Sequence, residues 1–324
     1  MNLSELRAQF ETELESYLKT LPDNNLHNPV KYILSLGGKR FRPLLVLLSA
    51  SAFGKLEKRV FKAAMAVEIF HNFSLVHDDI MDEAPLRRGK ETVHAKWDEN
   101  TAILSGDAML IEAYKLLAET GNENLKELLD LFNTTSAEVC WGQQLDMDFE
   151  TRSDVQADSY IEMIGLKTAV LLGCALKMGA IVAGATSKDA ELLYQFGKQA
   201  GIGFQIQDDY LDAFGDPEKF GKQVGGDIIS NKKTYLIIKA LEKAGPDLKD
   251  ELSKIYFADS LKKNDEKVRR VKEIFKSLEV DGDTIDASKE YFDKASDCIR
   301  QLSLADEKKS RFTDFLAMLK ERSY

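Results

Sequence analysis

The sequence predicts an all-α protein, and three observations carry that expectation: only 6 prolines in 324 residues, long runs of helical apolar periodicity, and no sustained alternation of apolar and polar residues. Breaks between helices are expected where turn residues gather: Leu21 to Pro29, Gly37-Gly38, Ala84 to Glu91, Gly121-Asn122, Gly215 to Gly226, and Ala244-Gly245-Pro246. None has the composition of a domain linker, so residues 1–324 are read as a single domain, with 44% hydrophobic residues ample for its core. From Asp247 onward the chain reads as charged amphipathic helix packed around that core.

Composition also excludes. The apolar stretch from Pro43 to Phe53 is too short to span a bilayer, and Ile161 to Ala185 is interrupted by Lys167 and Lys177, so no transmembrane segment is expected. The opening Met1-Asn2-Leu3-Ser4-Glu5 lacks the basic and apolar regions of a secretory signal. Cys140, Cys174 and Cys298 show no Cys-x-x-Cys spacing, which indicates neither a disulfide framework nor a zinc site; a cytoplasmic protein is expected. A net charge of −10 disfavours nonspecific nucleic-acid binding.

The chemistry is announced by two copies of one acidic pattern, Asp78-Asp79-Ile80-Met81-Asp82 and Asp208-Asp209-Tyr210-Leu211-Asp212, about 130 residues apart. On a helix the first and last aspartates share a face, with the middle one alongside. Like charges so crowded repel unless a cation neutralises them. A solvated acidic surface would be the plain alternative. The flanks argue against it: Val67 to His77 and Ile202 to Gln207 carry none of the Lys or Arg that a surface helix presents. Carboxylates in such settings suit magnesium bridging phosphates.

Basic residues complete the pattern. Gly37-Gly38-Lys39-Arg40-Phe41-Arg42-Pro43 places Lys39 and Arg42 at a Gly turn before a helix; Arg87-Arg88-Gly89 follows the first triad; Gly221-Lys222 and Asn231-Lys232-Lys233-Thr234 follow the second. Any one of these could be a solvated charge. Lys167, in Ile164-Gly165-Leu166-Lys167-Thr168-Ala169-Val170, is harder to dismiss, because a lysine in an apolar helix needs an anionic partner.

Taken in order from about Gly37 to Thr234, these elements resemble the trans-isoprenyl diphosphate synthases, or polyprenyl synthetases. The resemblance implies many antiparallel helices around a deep central cavity, normally in a homodimer, and a magnesium-dependent head-to-tail condensation of isopentenyl diphosphate with an allylic diphosphate. It casts Asp78, Asp79, Asp82, Asp208, Asp209 and Asp212 as ligands of three magnesium ions. Arg87, Lys167, Lys222 and Lys232 match positions that contact the allylic diphosphate or its metals. Lys39, Arg42, His71 and Arg88 match the isopentenyl diphosphate pocket. Thr168, Gln205, Gln143 and Asp146 match residues lining the site, and Lys167, Thr168, Gln205, Lys222 and Lys232 are the candidates to act on the reacting groups. No side chain stands out as a general base; in such enzymes the departing diphosphate is thought to take the proton.

Residues upstream of Asp78 are expected to measure the product. Ser74 and Phe70 share the helical row of Asp78, and Phe73 lies beside it. A large aromatic at this place resembles enzymes stopping at twenty carbons, so geranylgeranyl diphosphate is the expected product, with farnesyl diphosphate the alternative. Three points of comparison with the family's usual pattern are visible: Glu91 stands where proline is common, Asn231 where many relatives have glycine, and Ala84 shows the first motif in its compact five-residue form, without a two-residue expansion. A class I terpene cyclase would replace the second aspartate pattern, and a non-catalytic regulatory subunit would have degraded motifs; both triads here are intact.

Overall fold

In the computed structural model, residues 2–216, 224–257 and 263–321 are described. They are helical apart from loops and one two-stranded hairpin, as the low proline content and the periodicity predict. Lys222, one of the basic candidates, lies outside the described residues.

The chain divides into two compact units, residues 1–134 with 171–194, and residues 135–170 with 195–324. In the first, α1 (Leu3–Leu18) starts at a capping box in which Asn2 accepts from the Glu5 amide and the Glu5 side chain returns to the Asn2 amide. Leu6, Phe10 and Leu14 form its buried stripe. Pro29 sits in the first turn of α2 (His27–Ser35), where its missing N–H costs no intrahelical bond. The apolar α3 (Phe41–Phe53) packs on α4 (Lys58–Met81), which is buried on nearly every side through Ala63, Ala64, Ala66, Val67, Ile69, Phe70 and Val76. A helix apolar all round belongs in the middle of a core, and α4 ends in the first aspartate triad.

After α4 a short hairpin, β1 (Leu86–Arg87) and β2 (Lys90–Glu91), turns through Arg88 and Gly89, both with positive φ. Then come α5 (Val93–Lys96), α6 (Glu99–Ala118), which lies along α4, and the start of α7 (Leu125–Thr151). Helix α9 (Val170–Val182) and the start of α10 (Ser187–Phe214) complete the unit.

The second unit takes the rest of α7, α8 (Ala157–Ile164), a π-helical turn (Gly165–Ala169) and the remainder of α10, which carries the second triad. It continues with α11 (Gly226–Ile229), α12 (Tyr235–Lys243), α13 (Pro246–Phe257), α14 (Asn264–Ser277), α15 (Val280–Gln301) and α16 (Asp306–Lys320). Ile202, Ile206, Tyr160, Ile164, Leu236, Ile237, Ile274 and Phe275 are among the buried residues of its core, which anchors α10 just before the aspartates.

The run Ala157–Val182 is long and apolar enough to cross a bilayer, but 78% of its most apolar window is buried inside the protein.

Candidate active site

In the first unit α4 places Asp78 and Asp82 one turn apart on one row. The two are not equivalent to Asp79. That residue is 1% exposed, and both its carboxylate oxygens are held by Arg87: Nε donates at 2.8 and 2.9 Å and a terminal nitrogen at 2.7 Å. The hairpin exists to bring Arg87 back over the helix end, assisted by the Ala84 amide donating to the Asp79 carbonyl and the Thr92 hydroxyl donating to the Ala84 carbonyl. Asp79 therefore positions a guanidinium at the edge of the triad, while Asp82 is exposed.

Beside it the Gly turn gathers cations. Gly38 has φ +130, and a Cβ there would meet the Arg88 guanidinium carbon at 2.9 Å, so glycine is needed both for the backbone and for the approach. Arg88 donates to the Gly37 carbonyl and Arg7 to the Gly38 carbonyl at 2.8 Å. Arg42, in the first turn of α3, donates to His71 Nε2 at 3.1 Å. Because a guanidinium only donates, His71 Nε2 accepts and its proton sits on Nδ1. Burial, reinforced by repulsion from Arg42, Arg88, Arg87 and Arg40, holds the His71 pKa well below its ordinary value. Burial and the Arg88 charge likewise push Arg42 down to about 10, against the pull of Glu68, so it stays charged near neutrality. Arg42 Nε is buried with no hydrogen-bond partner among the described residues. An unpaired buried charged donor is costly, and an anion is its natural complement. Lys39 is exposed, with Nζ 5.9 Å from the centre of the Phe41 ring.

Sequence reasoning missed what holds this turn. Arg40, with φ +54 and 4% exposed, pairs with Glu68 at 2.6 Å and Glu11 at 3.1 Å and donates to the Leu34 carbonyl at 2.6 Å. Glu68 also accepts from the Asn72 amide at 3.0 Å. A glutamate inside an apolar helix was the available signal.

Further up α4, Phe73 is 9% exposed and packs between Phe70, with ring centres 5.6 Å apart, and His77, at 4.8 Å. Phe70 in turn meets Phe132 at 5.1 Å. The Ser74 hydroxyl is turned back onto the His71 carbonyl at 2.9 Å.

In the second unit the middle aspartate is again the buried one. Asp209 is 7% exposed and accepts from the Tyr160 hydroxyl at 2.6 Å and the Tyr235 amide at 2.9 Å. Burial nonetheless pushes its pKa up to about 7, those hydrogen bonds opposing it. Asp212 accepts from the Asp227 amide at 2.9 Å; burial, then the nearby Asp227 charge, raises its pKa as well. Lys232 has a side chain 54% exposed; burial works against its charge, but Asp227, Asp209, Asp146 and Asp208 outweigh it and raise its pKa. Neither Tyr160 nor Asp227 was legible as a site residue, since a tyrosine in an amphipathic helix and an aspartate in a turn carry no signal alone.

Lys167 has the anionic partner its apolar surroundings demand: Nζ lies 2.5 Å from Asp146 Oδ2. What periodicity did not reveal is that Lys167 and Thr168 sit in a π turn. Gly142 of α7 lies against it so closely that a Cβ would come within 2.2 Å of the Lys167 amide nitrogen. One residue on, Gln143 has a buried Oε1 without a partner among the described residues. Gln205 is half-buried on α10, one turn before Asp208 and Asp209.

Magnesium fits these donors. Burial, with the Asp227 charge added to it, lifts the proton affinity of Asp209 and Asp212, and a divalent cation beside them would offset both effects. Among the described residues no three His, Cys, Asp or Glu side chains converge as a ready cage. Magnesium suits that openness, because it is usually held by one or two carboxylates and completed by water and phosphate oxygens.

The fold and site thus define a helical protein that sets clustered carboxylates beside fixed cations, the donor set for a metal-bound diphosphate. The profile of the family described as Polyprenyl synthetase matches residues 23–278. The chain is 38% identical over 309 residues to the geranylgeranyl diphosphate synthase of Saccharolobus solfataricus, covering 94% of this chain and 90% of that one. It is 34% identical to the geranylfarnesyl diphosphate synthase of Natronomonas pharaonis, covering 99% and 97%. A crystal structure of a geranylgeranyl pyrophosphate synthase superposes with a TM-score of 0.94 at 51% identity, covering 99% of each chain. The chain belongs to the polyprenyl synthetase family and is a short-chain prenyltransferase.

Proposed function

We propose that this chain condenses isopentenyl diphosphate with an allylic diphosphate head to tail and releases geranylgeranyl diphosphate. The C1–O bond of the allylic substrate breaks with its electron pair leaving on diphosphate. The isopentenyl double bond supplies the pair for the new C–C bond, and the proton then lost from the adduct goes to the departed diphosphate. Bound magnesium, held through Asp78, Asp82, Asp208 and Asp212, would neutralise the leaving group's growing charge.

The residues of the chain do the rest. Asp79 and Asp209 act through what they hold: Arg87 in the first case, Tyr160 and the Tyr235 backbone in the second. Arg87, Lys167 and Lys232, with Lys222, bind the allylic diphosphate, while Thr168, Gln205, Gln143 and Asp146 line its place. Lys39, Arg42, His71 and Arg88 bind isopentenyl diphosphate; the single observation that carries the reading is Arg42, charged, with a buried Nε that has no acceptor among the described residues. His71, held neutral, takes no proton in the reaction.

Phe73 stops the chain at twenty carbons, backed by Phe70, with Ser74 leaving one turn of the row open. Incubation with magnesium, labelled isopentenyl diphosphate and dimethylallyl, geranyl or farnesyl diphosphate should give a twenty-carbon product by mass spectrometry, and Phe73→Ala a longer one. An unchanged length in Phe73→Ala would remove Phe73 as the stop. A twenty-five-carbon product from the parent protein would follow the geranylfarnesyl relative instead.

A homodimer fits the apolar residues left uncovered on α6: Leu104 and Ile111 are 58% and 61% exposed, two turns apart, with Ile103 alongside at 38%. A cytoplasmic setting fits Cys140, Cys174 and Cys298, which form no disulfide.

A further inference from the structure

The C-terminal helices contain a buried cation aimed at the site. Lys267 of α14 is 2% exposed, and its Nζ donates to Asn231 Oδ1 at 2.5 Å and to the Ile229 carbonyl at 3.3 Å. Its neighbour Val268 presses on the other end of the same segment: a Cβ on Gly225, whose φ is +84, would meet Val268 Cγ1 at 2.7 Å. Residues 225–231 are thus gripped at both ends by consecutive residues of one helix.

That segment is where the second triad meets its cation. The Gly225 amide donates to the Asp212 carbonyl at 2.6 Å, the Asp227 amide to the Asp212 carboxylate at 2.9 Å, and the Lys232 amide to the Asp227 carbonyl at 2.9 Å. Asn231, immediately before Lys232, has φ +58. Glycine and asparagine are the residues that tolerate this conformation, but only asparagine adds a side-chain oxygen. Here that oxygen accepts from a lysine whose charge would otherwise be buried at high cost.

We propose that Lys267 and Asn231 form a positioning pair that fixes the backbone from which Lys232 projects and thereby sets affinity for the allylic diphosphate. The proposal rests on the reading of Lys232 as a ligand of that diphosphate. Neither member of the pair is a catalytic residue.

The test compares Lys267→Met, Asn231→Gly, the double variant and Lys232→Ala, measuring melting temperature and separate KM and kcat values for each substrate. Each single variant breaks the Lys267–Asn231 hydrogen bond, so each should melt earlier and raise the allylic KM about tenfold, the scale of a lost charged hydrogen bond, with the isopentenyl KM unchanged. The double variant removes the buried charge together with its acceptor, so its melting temperature should recover toward the parent value while the allylic KM stays raised. A purely structural contact would give the opposite: KM returning with stability. That result, or an unchanged allylic KM in Asn231→Gly, overturns the pair; should Lys267→Met not fold, Asn231→Gly alone decides. An unchanged allylic KM in Lys232→Ala overturns the proposal at its root, by removing Lys232 from the diphosphate site.

Discussion

At the scale of single residues, His71 shows how neighbours decide a protonation state. Its folded pKa lies below the unfolded value of about 6.5, so the folded protein favours the neutral ring. The sign follows: the stabilisation is complete above about pH 6.5 and is lost as pH falls through the depressed folded value, at no more than about 1.4 kcal/mol per pH unit. Thermal melts between pH 7.5 and 5 should therefore steepen below pH 6.5, and His71→Gln, which keeps an acceptor for Arg42 but cannot titrate, should flatten that limb. The residue's identity as a pocket member was visible from its place seven residues before Asp78. That it is not the base was also expected from the sequence; its tautomer was not, because that depends on an arginine that reaches it from α3. The same holds for the aspartates: spacing marked all six, but only the structure separates Asp79 and Asp209, which are buried, from the more exposed outer members of each triad.

Among elements, α4 and α10 were legible for a physical reason. Each is a long helix whose apolar periodicity runs without a break into its acidic end, so pattern and chemistry agree. The π turn was not, since the apolar stretch from Ile161 to Ala185 reads as helix throughout and nothing in the residue types marks the extra residue. Gly142 is its counterpart on α7. Gly142→Ala would place a methyl 2.2 Å from the Lys167 amide nitrogen, a backbone clash that no side-chain rotation relieves. Overpacking of this kind costs about 1–3 kcal/mol, so a urea midpoint should fall accordingly. Activity should fall further than stability alone accounts for, because the displaced turn carries Lys167 and Thr168. Asn231 shows the reverse case: its departure from glycine was visible in sequence, and its meaning waited on a lysine 36 residues later.

For the whole molecule, a net charge of −10 and two aspartate triads mean that folding gathers repulsion which a ligand can discharge. A ligand that binds only the folded protein stabilises it by RT ln(1 + [L]/Kd), about 2.7 kcal/mol at a hundredfold excess over Kd. Magnesium with pyrophosphate should raise the melting temperature more than either alone, the gain should vanish with EDTA, and Asp208→Asn should shrink it. The C-terminal third was readable as packing helices and nothing more. Its amphipathic pattern is the same whether a buried lysine fills a gap or grips a loop.

A π turn is what remains when one residue more than the helical repeat allows is threaded through an otherwise continuous helix. At 3.6 residues per turn, that surplus rotates everything after it by about 100° relative to what came before. Lys167 and Thr168 lie in that turn, so a one-residue deletion within 165–169 is the mutation best tolerated by the helix and worst tolerated by the site. The reading frame of the helical face, no less than the residues on it, is part of what this chain inherits.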